Sequence, residues 1–376
     1  MTNYPTYKLG EILSYEQPTN YIVESTEYDD TYPVPVLTAG KSFILGYTNE
    51  TKGVYDKVPV IIFDDFTTAS KFVDFKFKVK SSAMKILSCD DSIADIKYMY
   101  YLMQITHIQS DTHKRYWISD YSKIPVSLPP LPTQHQIVSR IESLFAELDK
   151  AVEHLRTAQQ QLKIYRQAVL NHWLNNEDGK WELVKLGEVA EVKRGRSKHR
   201  PRNDKSLFGG KYPFIQTGEI REAKGGTITT YSQTYSEKGL EQSRLWPKGT
   251  LCLTIAANIA ETAYLGFDAC FPDSVVGIIA RQEHLNLDYF NCYIQLIKQI
   301  IEQQASATAQ KNINVDYLEN LQIPLPPLPE QQHIVKEIES RLSQAEATEA
   351  RIAEASQKTE ALRQSILKKA FGGKLV

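Results

Sequence analysis

The sequence predicts an α+β protein, built as two α+β domains separated by two long helices that pair as an intramolecular coiled coil. Three observations predict it. A proline-rich stretch occurs twice, each copy leads into a long segment free of Pro and Gly, and each is preceded by short strand-like runs with one amphipathic helix. At 376 residues the chain exceeds one ordinary core and has room for two.

The repeat is dense. Ile124-Pro125, then Leu128-Pro129-Pro130-Leu131-Pro132-Thr133-Gln134-His135-Gln136-Ile137-Val138, matches Ile323-Pro324-Leu325-Pro326-Pro327-Leu328-Pro329-Glu330-Gln331-Gln332-His333-Ile334-Val335. Val126 and Ser127 are extra in the first copy, and Ile141-Glu142-Ser143 answers Ile338-Glu339-Ser340. Upstream, Lys8-Leu9-Gly10-Glu11-Ile12 echoes Lys185-Leu186-Gly187-Glu188-Val189. Pro35-Val36-Leu37-Thr38 falls where Pro213-Phe214-Ile215-Gln216 falls, and Asp120-Tyr121 where Asp316-Tyr317 falls. The second domain is longer by about twenty residues, all after Gly218. The chain therefore divides into a first globular domain (1–123), a proline hinge and helix (124–178), a second globular domain (179–322) and a second hinge and helix (323–376).

Proline fixes φ and extends the residue before it, so each hinge reads as a stiff strap entering a helix. A proline-motif ligand for a partner is the other reading. Thr133, with Gln136 three residues on, is the expected N-cap of the first helix. Ile141, Leu148, Leu155, Leu162 and Val169 recur every seven residues, with Leu144, Ala151, Ala158 and Tyr165 between them. Ile338, Ala345, Ile352, Thr359 and Ile366 give a weaker second seam, helped by Leu342, Ala355 and Leu362. Such helices pack on one another or on another protein's helices.

Strands are predicted at Val58–Phe63, Phe75–Val79, Met84–Leu87, Thr250–Ile255, Thr262–Gly266 and Val275–Ala280. Helices are predicted at Ile96–Ile105 and Leu287–Gln303.

Several chemistries are excluded. No apolar run approaches a bilayer span and the N-terminus is not signal-like, which gives the expectation of a cytoplasmic protein. Cys89, Cys252, Cys270 and Cys292 lack metal-ligand spacing and read as reduced thiols. Ala39-Gly40-Lys41-Ser42 has Pro35 where a phosphate loop needs glycine. Phe271-Pro272-Asp273 lacks the second acid and lysine of a nuclease, and Asp64-Asp65 would point to opposite strand faces. No nucleophile motif occurs, so no catalytic or metal residue is expected.

The net charge of −1 argues mildly against nucleic acid, but the charges are uneven. Lys193, Arg194, Arg196, Lys198, Arg200, Arg202 and Lys205 crowd one stretch against Asp204 alone. This run is either a DNA-facing loop or a solvated one.

Taken together, these features resemble the specificity subunit of type I restriction–modification enzymes, over essentially the whole chain. The resemblance is carried by both hinges, by Thr308-Ala309-Gln310-Lys311-Asn312-Ile313, by Phe208 to Ile215 and by Lys369-Ala370-Phe371-Gly372-Gly373-Lys374-Leu375. It implies that the globular units are target-recognition domains, each reading one half of a bipartite asymmetric duplex DNA site. It further implies that the helices pack antiparallel, fix the gap and dock two methyltransferase subunits. Restriction/translocase subunits complete the complex. S-adenosylmethionine, ATP and Mg would belong to these partners, with no cofactor on this chain.

For DNA contact the sequence nominates Arg194, Arg196, Lys198, Arg200 and Arg202, with Gln216, Thr217 and Arg221 for base edges. In the first domain it nominates Lys41, Tyr47, Asn49, Lys52, Thr67, Thr68, Lys71, Lys114 and Arg115, with His113 beside them. Two rival readings are an enzyme with a fused nuclease or methyltransferase, and a coiled-coil adaptor that binds proteins alone.

Overall fold

The absence of helix breakers gives two 44-residue helices, Leu131–Leu174 and Leu328–Phe371, in the computed structural model. Each is about 66 Å long at 1.5 Å per residue. The structure describes residues 4–38, 42–106, 115–256, 258–281, 283–306 and 312–375. Two compact units result, Met1–Arg156 with Ala353–Val376, and Thr157–Ile352. Each long helix therefore contributes one part to each unit.

In the first unit a four-stranded antiparallel sheet has the order Leu13–Glu16, Met84–Cys89, Val60–Asp64, Ser70–Val73. A second sheet sets Val34–Leu37 between Ile44–Thr48, antiparallel, and Lys78–Val79, parallel. Phe63, Met99, Trp117 and Tyr121 build the core beside the helix Ile96–Ile105. Ile141, Leu367 and Ala370 of the long helices join the same core. Asp149 pairs with Arg363, whose guanidinium lies 4.9 Å from the Phe145 ring centroid, so the helical segments run antiparallel.

The second unit repeats the plan. Ala190–Arg194, Val275–Ala280, Leu251–Thr254 and Thr262–Leu265 take the same order, and Thr227–Ile228 adds a fifth, parallel strand. That fifth strand and the helix Thr217–Ala223 are built from the extra residues around and after Gly218. Phe208–Phe214 pairs antiparallel with Gln233–Tyr235, the helix Thr217–Ala223 and strand Thr227–Ile228 lying between them in the chain, and helix Leu287–Ser306 covers the five-stranded sheet. Arg166 pairs with Glu349 at 3.1 Å and Trp173 meets His333 at 5.8 Å, so here too the long helices are antiparallel.

The helix seams follow the sequence with two corrections. Ile141 and Val169 are buried and Leu148, Leu155 and Leu162 half-buried. The companion row, however, often falls at i+4, on Phe145, Val152 and Arg166, while Ala151 and Tyr165 are exposed. On the second helix Ile338, Ala345, Ile352 and Thr359 are buried, but Leu362 is exposed. Thr359 is tolerated because its hydroxyl donates to the Ala355 carbonyl at 2.8 Å.

Thr133 is not the N-cap. The helix starts at Leu131, and the N–H groups of Thr133 and Gln134 donate to the Pro130 carbonyl at 2.9 and 3.1 Å. First-turn N–H groups lack intrahelical partners, so prolines are at home there.

Gly277 lies against the edge of Trp246, whose ring stacks on Phe271 at 4.8 Å and carries the Arg244 guanidinium at 3.9 Å. A methyl at Gly277 would come within 2.4–2.8 Å of three ring carbons. Gly277→Ala is expected to cost about 1–3 kcal/mol, seen as a lower denaturation midpoint; an unchanged midpoint would show that the ring moves aside.

Candidate nucleic-acid interface

The basic run of the second unit leaves its sheet at Arg194 and is then bound down by acids. Arg194 donates through Nε to the Asp273 carbonyl, and Arg202 pairs with the Asp273 carboxylate at 2.8 Å. Arg200 donates to the carbonyls of Ser197 and His199 at 2.7 and 2.9 Å. Asp204 gathers His199 at 2.8 Å and Lys238 at 3.6 Å. Arg196, Lys198 and Lys205 are exposed and make no ion pair among the described residues. Asp273, considered above as a nuclease acid, is thus an anchor for the loop.

This loop forms one wall of an open groove of about 730 Å³. Arg202, Asn203 and Lys205 line it on one side, and Gln216 and Gln233 on another. The floor is aromatic: Phe214 stacks on Tyr235 with centroids 4.1 Å apart, and Phe208 packs against Tyr235 at 5.3 Å. The Gln216 amide donates to Gln233 Oε1 at 3.1 Å, which aligns two amide edges at the rim. Between Phe208 and Tyr212 the register of this strand pair slips. Gly209 has φ +82° there, and a Cβ on Gly210 would lie 2.5 Å from the Ser236 Cα. A bulge of this kind re-aims neighbouring side chains, here toward the groove.

Thr217 is half-buried at the start of helix Thr217–Ala223 and Arg221 is exposed on its last turn; neither lines the groove. Sequence reasoning did not nominate Phe208, Phe214, Gln233, Tyr235 or Lys205. For Phe208 and Phe214 the signal was the run from Phe208 to Ile215, whose glycines mark a bulged aromatic strand; Lys205 belonged to the basic run, and Gln233 and Tyr235 carried no signal of their own.

In the first unit the nominated residues fall into separate places. Tyr47, Asn49 and Lys52 follow one another at the end of strand Ile44–Thr48. The Lys52 carbonyl accepts from buried Lys78 Nζ at 2.6 Å, and Lys78 pairs with Glu50 at 2.9 Å. Thr67 and Thr68 form the turn after Val60–Asp64, held by Asp64, which accepts from the Phe66 N–H and the Thr67 hydroxyl at 2.9 and 2.7 Å. Arg115 is brought near that turn. Asp65 accepts from the N–H groups of Tyr116 and Trp117, the next residues, at 2.9 and 2.8 Å. Lys71 is exposed on strand Ser70–Val73. Lys41, Lys114 and His113 lie outside the described residues, as do Thr308 to Lys311.

At the register position where the strand pair of the second unit sets Gln233 opposite Phe214, that of the first sets Gly46 opposite Val36. The two strand pairs thus present different surfaces.

Among the described residues no group of three or more His, Cys, Asp or Glu could hold a metal ion, and no helix is long and apolar enough to cross a membrane. Burial pushes the Cys270 thiol up to about 11 and those of Cys89 and Cys292 to about 12. Uncharged at neutral pH, these thiols are poor nucleophiles.

The α+β plan thus occurs twice in the chain, and its second copy carries a basic and aromatic groove. The family described as type I restriction modification DNA specificity domain matches residues 1–155 and 178–357, and the chain belongs to it. Its proteins recognise the DNA target within a type I restriction–modification complex and are non-catalytic.

The chain is 36% identical over 351 residues to the EcoR124I/EcoR124II type I restriction enzyme specificity subunit of Escherichia coli, covering 87% of this chain and 84% of that one. Its fold matches a chain solved in a study of type I restriction–modification complex assembly and conformational transition (TM-score 0.78, 20% identity, 100% and 99% of the two chains). It also matches the HsdS subunit of Thermoanaerobacter tengcongensis (TM-score 0.57, 19% identity, 100% and 98%).

The Asp204 carboxylate is held well below its ordinary value of 3.8, first by the Ser206 N–H and hydroxyl, then by His199 and Lys238. A depressed carboxylate contributes order above its unfolded pKa and loses it as pH falls through the lower folded value. Hydrogen-exchange protection of the Ser206 amide is expected to persist at neutral pH and to fall at pH below 3.8. In Asp204→Asn it should be weak at neutral pH and lack that acid step; an acid step retained in the variant would assign it elsewhere.

Proposed function

We propose that residues 1–123 and 179–322 each bind one half of a bipartite asymmetric site in duplex DNA. The hinge-helix segments, 124–178 and 323–376, set the gap between the half-sites. They also dock two methyltransferase subunits in a cytoplasmic complex completed by restriction/translocase subunits. S-adenosylmethionine, ATP and Mg are used by those partners. The observation that carries this reading is the duplication itself: equal scaffolds with unequal strand pairs. Symmetric dimers read symmetric sites, and a pseudo-dimer with divergent heads reads two different half-sites.

In the second domain Arg196, Lys198 and Lys205 face the DNA backbone, and Gln216 with Gln233 reads a base edge over the aromatic floor. Arg194, Arg200 and Arg202 act chiefly by shaping the loop, and Thr217 and Arg221 flank the groove. In the first domain the turn at Thr67 and Thr68 with Arg115 forms one contact region, supplemented by Lys71. The end of strand Ile44–Thr48, at Tyr47, Asn49 and Lys52, forms another. Lys41 and Lys114 also contact the DNA.

Co-expression with the methyltransferase subunit, followed by mapping of modified bases in host DNA, is expected to give one bipartite motif with a fixed gap. Deleting this chain should abolish it; modification unchanged by the deletion would reject the reading in favour of a protein-binding adaptor. In binding assays on the complex, Arg196→Ala and Lys198→Ala should each weaken all sequences alike and reduce the salt slope by about 1. Gln216→Ala should instead relax one position of the second half-site, with discrimination falling by about 1–3 kcal/mol. Uniform weakening by Gln216→Ala would move it to the backbone-contacting class.

A further inference from the structure

Two glutamines have no exposed surface at all, Gln134 and Gln331, and they occupy equivalent places in the repeat. Gln134 Oε1 accepts from the Asp95 N–H at 2.8 Å, while Nε2 donates to the carbonyls of Ile93 at 3.1 Å and Pro129 at 2.8 Å. Gln331 Oε1 accepts from the Asn286 N–H at 2.8 Å, while Nε2 donates to the carbonyls of His284 at 2.9 Å and Pro326 at 2.8 Å. Each amide uses both its donors and one acceptor, in a site from which water is excluded. The groups it binds belong to two segments, the strap and the entry to the domain's own helix, and the glutamine stands on the first turn of the long helix, so three segments meet at one amide.

That entry is itself fixed. Asp95 caps the helix Ile96–Ile105 by accepting from the Tyr98 N–H at 2.8 Å, and Asn286 accepts from the Tyr289 N–H at 3.0 Å. One residue thus caps the domain helix with its side chain and hands its N–H to the buried glutamine. A hydrophobic contact could slide along the long helix; three directional hydrogen bonds to one amide cannot.

We infer that Gln134 and Gln331 are positioning residues for recognition, each locking its domain in one setting on the long helix of its own unit. The inference rests on the proposed bipartite reading and deepens it. The strand pairs and loops choose the half-site sequences, and the helices provide the ruler. The glutamines hold each head at one mark on that ruler. Losing a lock frees the angle of a head without altering the surface that reads bases. The half-site sequences then persist while the gap between them relaxes.

The test uses the full chain in complex with its methyltransferase subunit and maps modified sites by gap length. Gln134→Met and Gln331→Met fill the same space without the amide. Thr262→Val serves as the control, because it deletes a buried hydrogen bond to Asn291 of 2.7 Å in the second unit and leaves the strap untouched. The glutamine variants are expected to keep both half-site sequences and to raise modification at gaps one base pair shorter or longer about tenfold over wild type. Thr262→Val should lower overall modification at an unchanged gap.

Gap fidelity retained by the glutamine variants would overturn the proposal, as would an equal relaxation in Thr262→Val, which would mark general loosening. Should the methionine variants fail to accumulate, Gln134→Asn and Gln331→Asn, one methylene shorter with the amide kept, decide by the same gap criterion. A wild-type complex without a bipartite motif would instead remove the underlying functional reading, and this inference with it.

Discussion

A strap of prolines has carbonyls to satisfy and few N–H groups to offer. How that imbalance is met fixes the point at which each domain joins its long helix, beside the apolar contacts that pack the helix into the domain core. The strap strand Pro125–Ser127 pairs with Thr6–Lys8, the first strand of its domain, and Gln322–Pro324 pairs with Leu183–Lys185. Leu128 and Leu325, just past these strands, donate their N–H groups to Pro5 and Glu182 at 3.0 and 2.9 Å. Pro130 and Pro327 accept from first-turn N–H groups of the long helices, and three further strap carbonyls are taken by side chains: Pro129 and Pro326 by the buried glutamines, Pro324 by the Tyr289 hydroxyl at 2.8 Å. The end of each domain is thereby stitched to its beginning at the point where the long helix departs.

This arrangement was legible in outline because repeats and periodicity survive as one-dimensional signals. The helices Ile96–Ile105 and Leu287–Ser306 and the strand Val275–Ala280 fall where the pattern put them. The pattern was weaker where an element is too short to show a period. Phe75–Val79 contracts to Lys78–Val79, and Ser70–Val73 had no distinctive sequence. The cap at Thr133 was misplaced because the sequence rule favours Thr, whereas here prolines occupy the first turn. The predicted Leu144 and Ala158 are half-buried, but the exposed Ala151 yields to the half-buried Val152 beside it, and Phe145 joins Leu144.

The groove was much less legible, since its parts come from distant stretches of sequence. Counting lysines and arginines between 193 and 205 treats all seven as alike. Folding separates them: Asp273 holds Arg194 and Arg202, the Ser197 and His199 carbonyls hold Arg200, and Arg196, Lys198 and Lys205 are left facing solvent. Composition could not show that distinction, because Asp273 lies 71 residues from Arg202. The aromatic floor likewise depends on a bulge that brings Phe208 and Phe214 to the same ring of Tyr235.

The contrast between what is duplicated and what is not gives the structure its functional sense. The strap pairing, the helix-entry cap and the buried glutamine recur in both units with nearly equal distances. Where the strand pair of the second unit carries Gln233 and Phe214, that of the first carries Gly46 and Val36, and a Cβ on Gly46 would lie 2.6 Å from the Tyr28 Cβ. A buried hydrogen-bonded junction changes at high cost, because a substitution strands several polar groups at once. An exposed strand-pair or loop face changes at little cost. Free-energy differences of this kind let the exposed surfaces diverge while the mounting stays fixed, which is the physical requirement that the proposed reading of two different half-sites at a constant separation imposes.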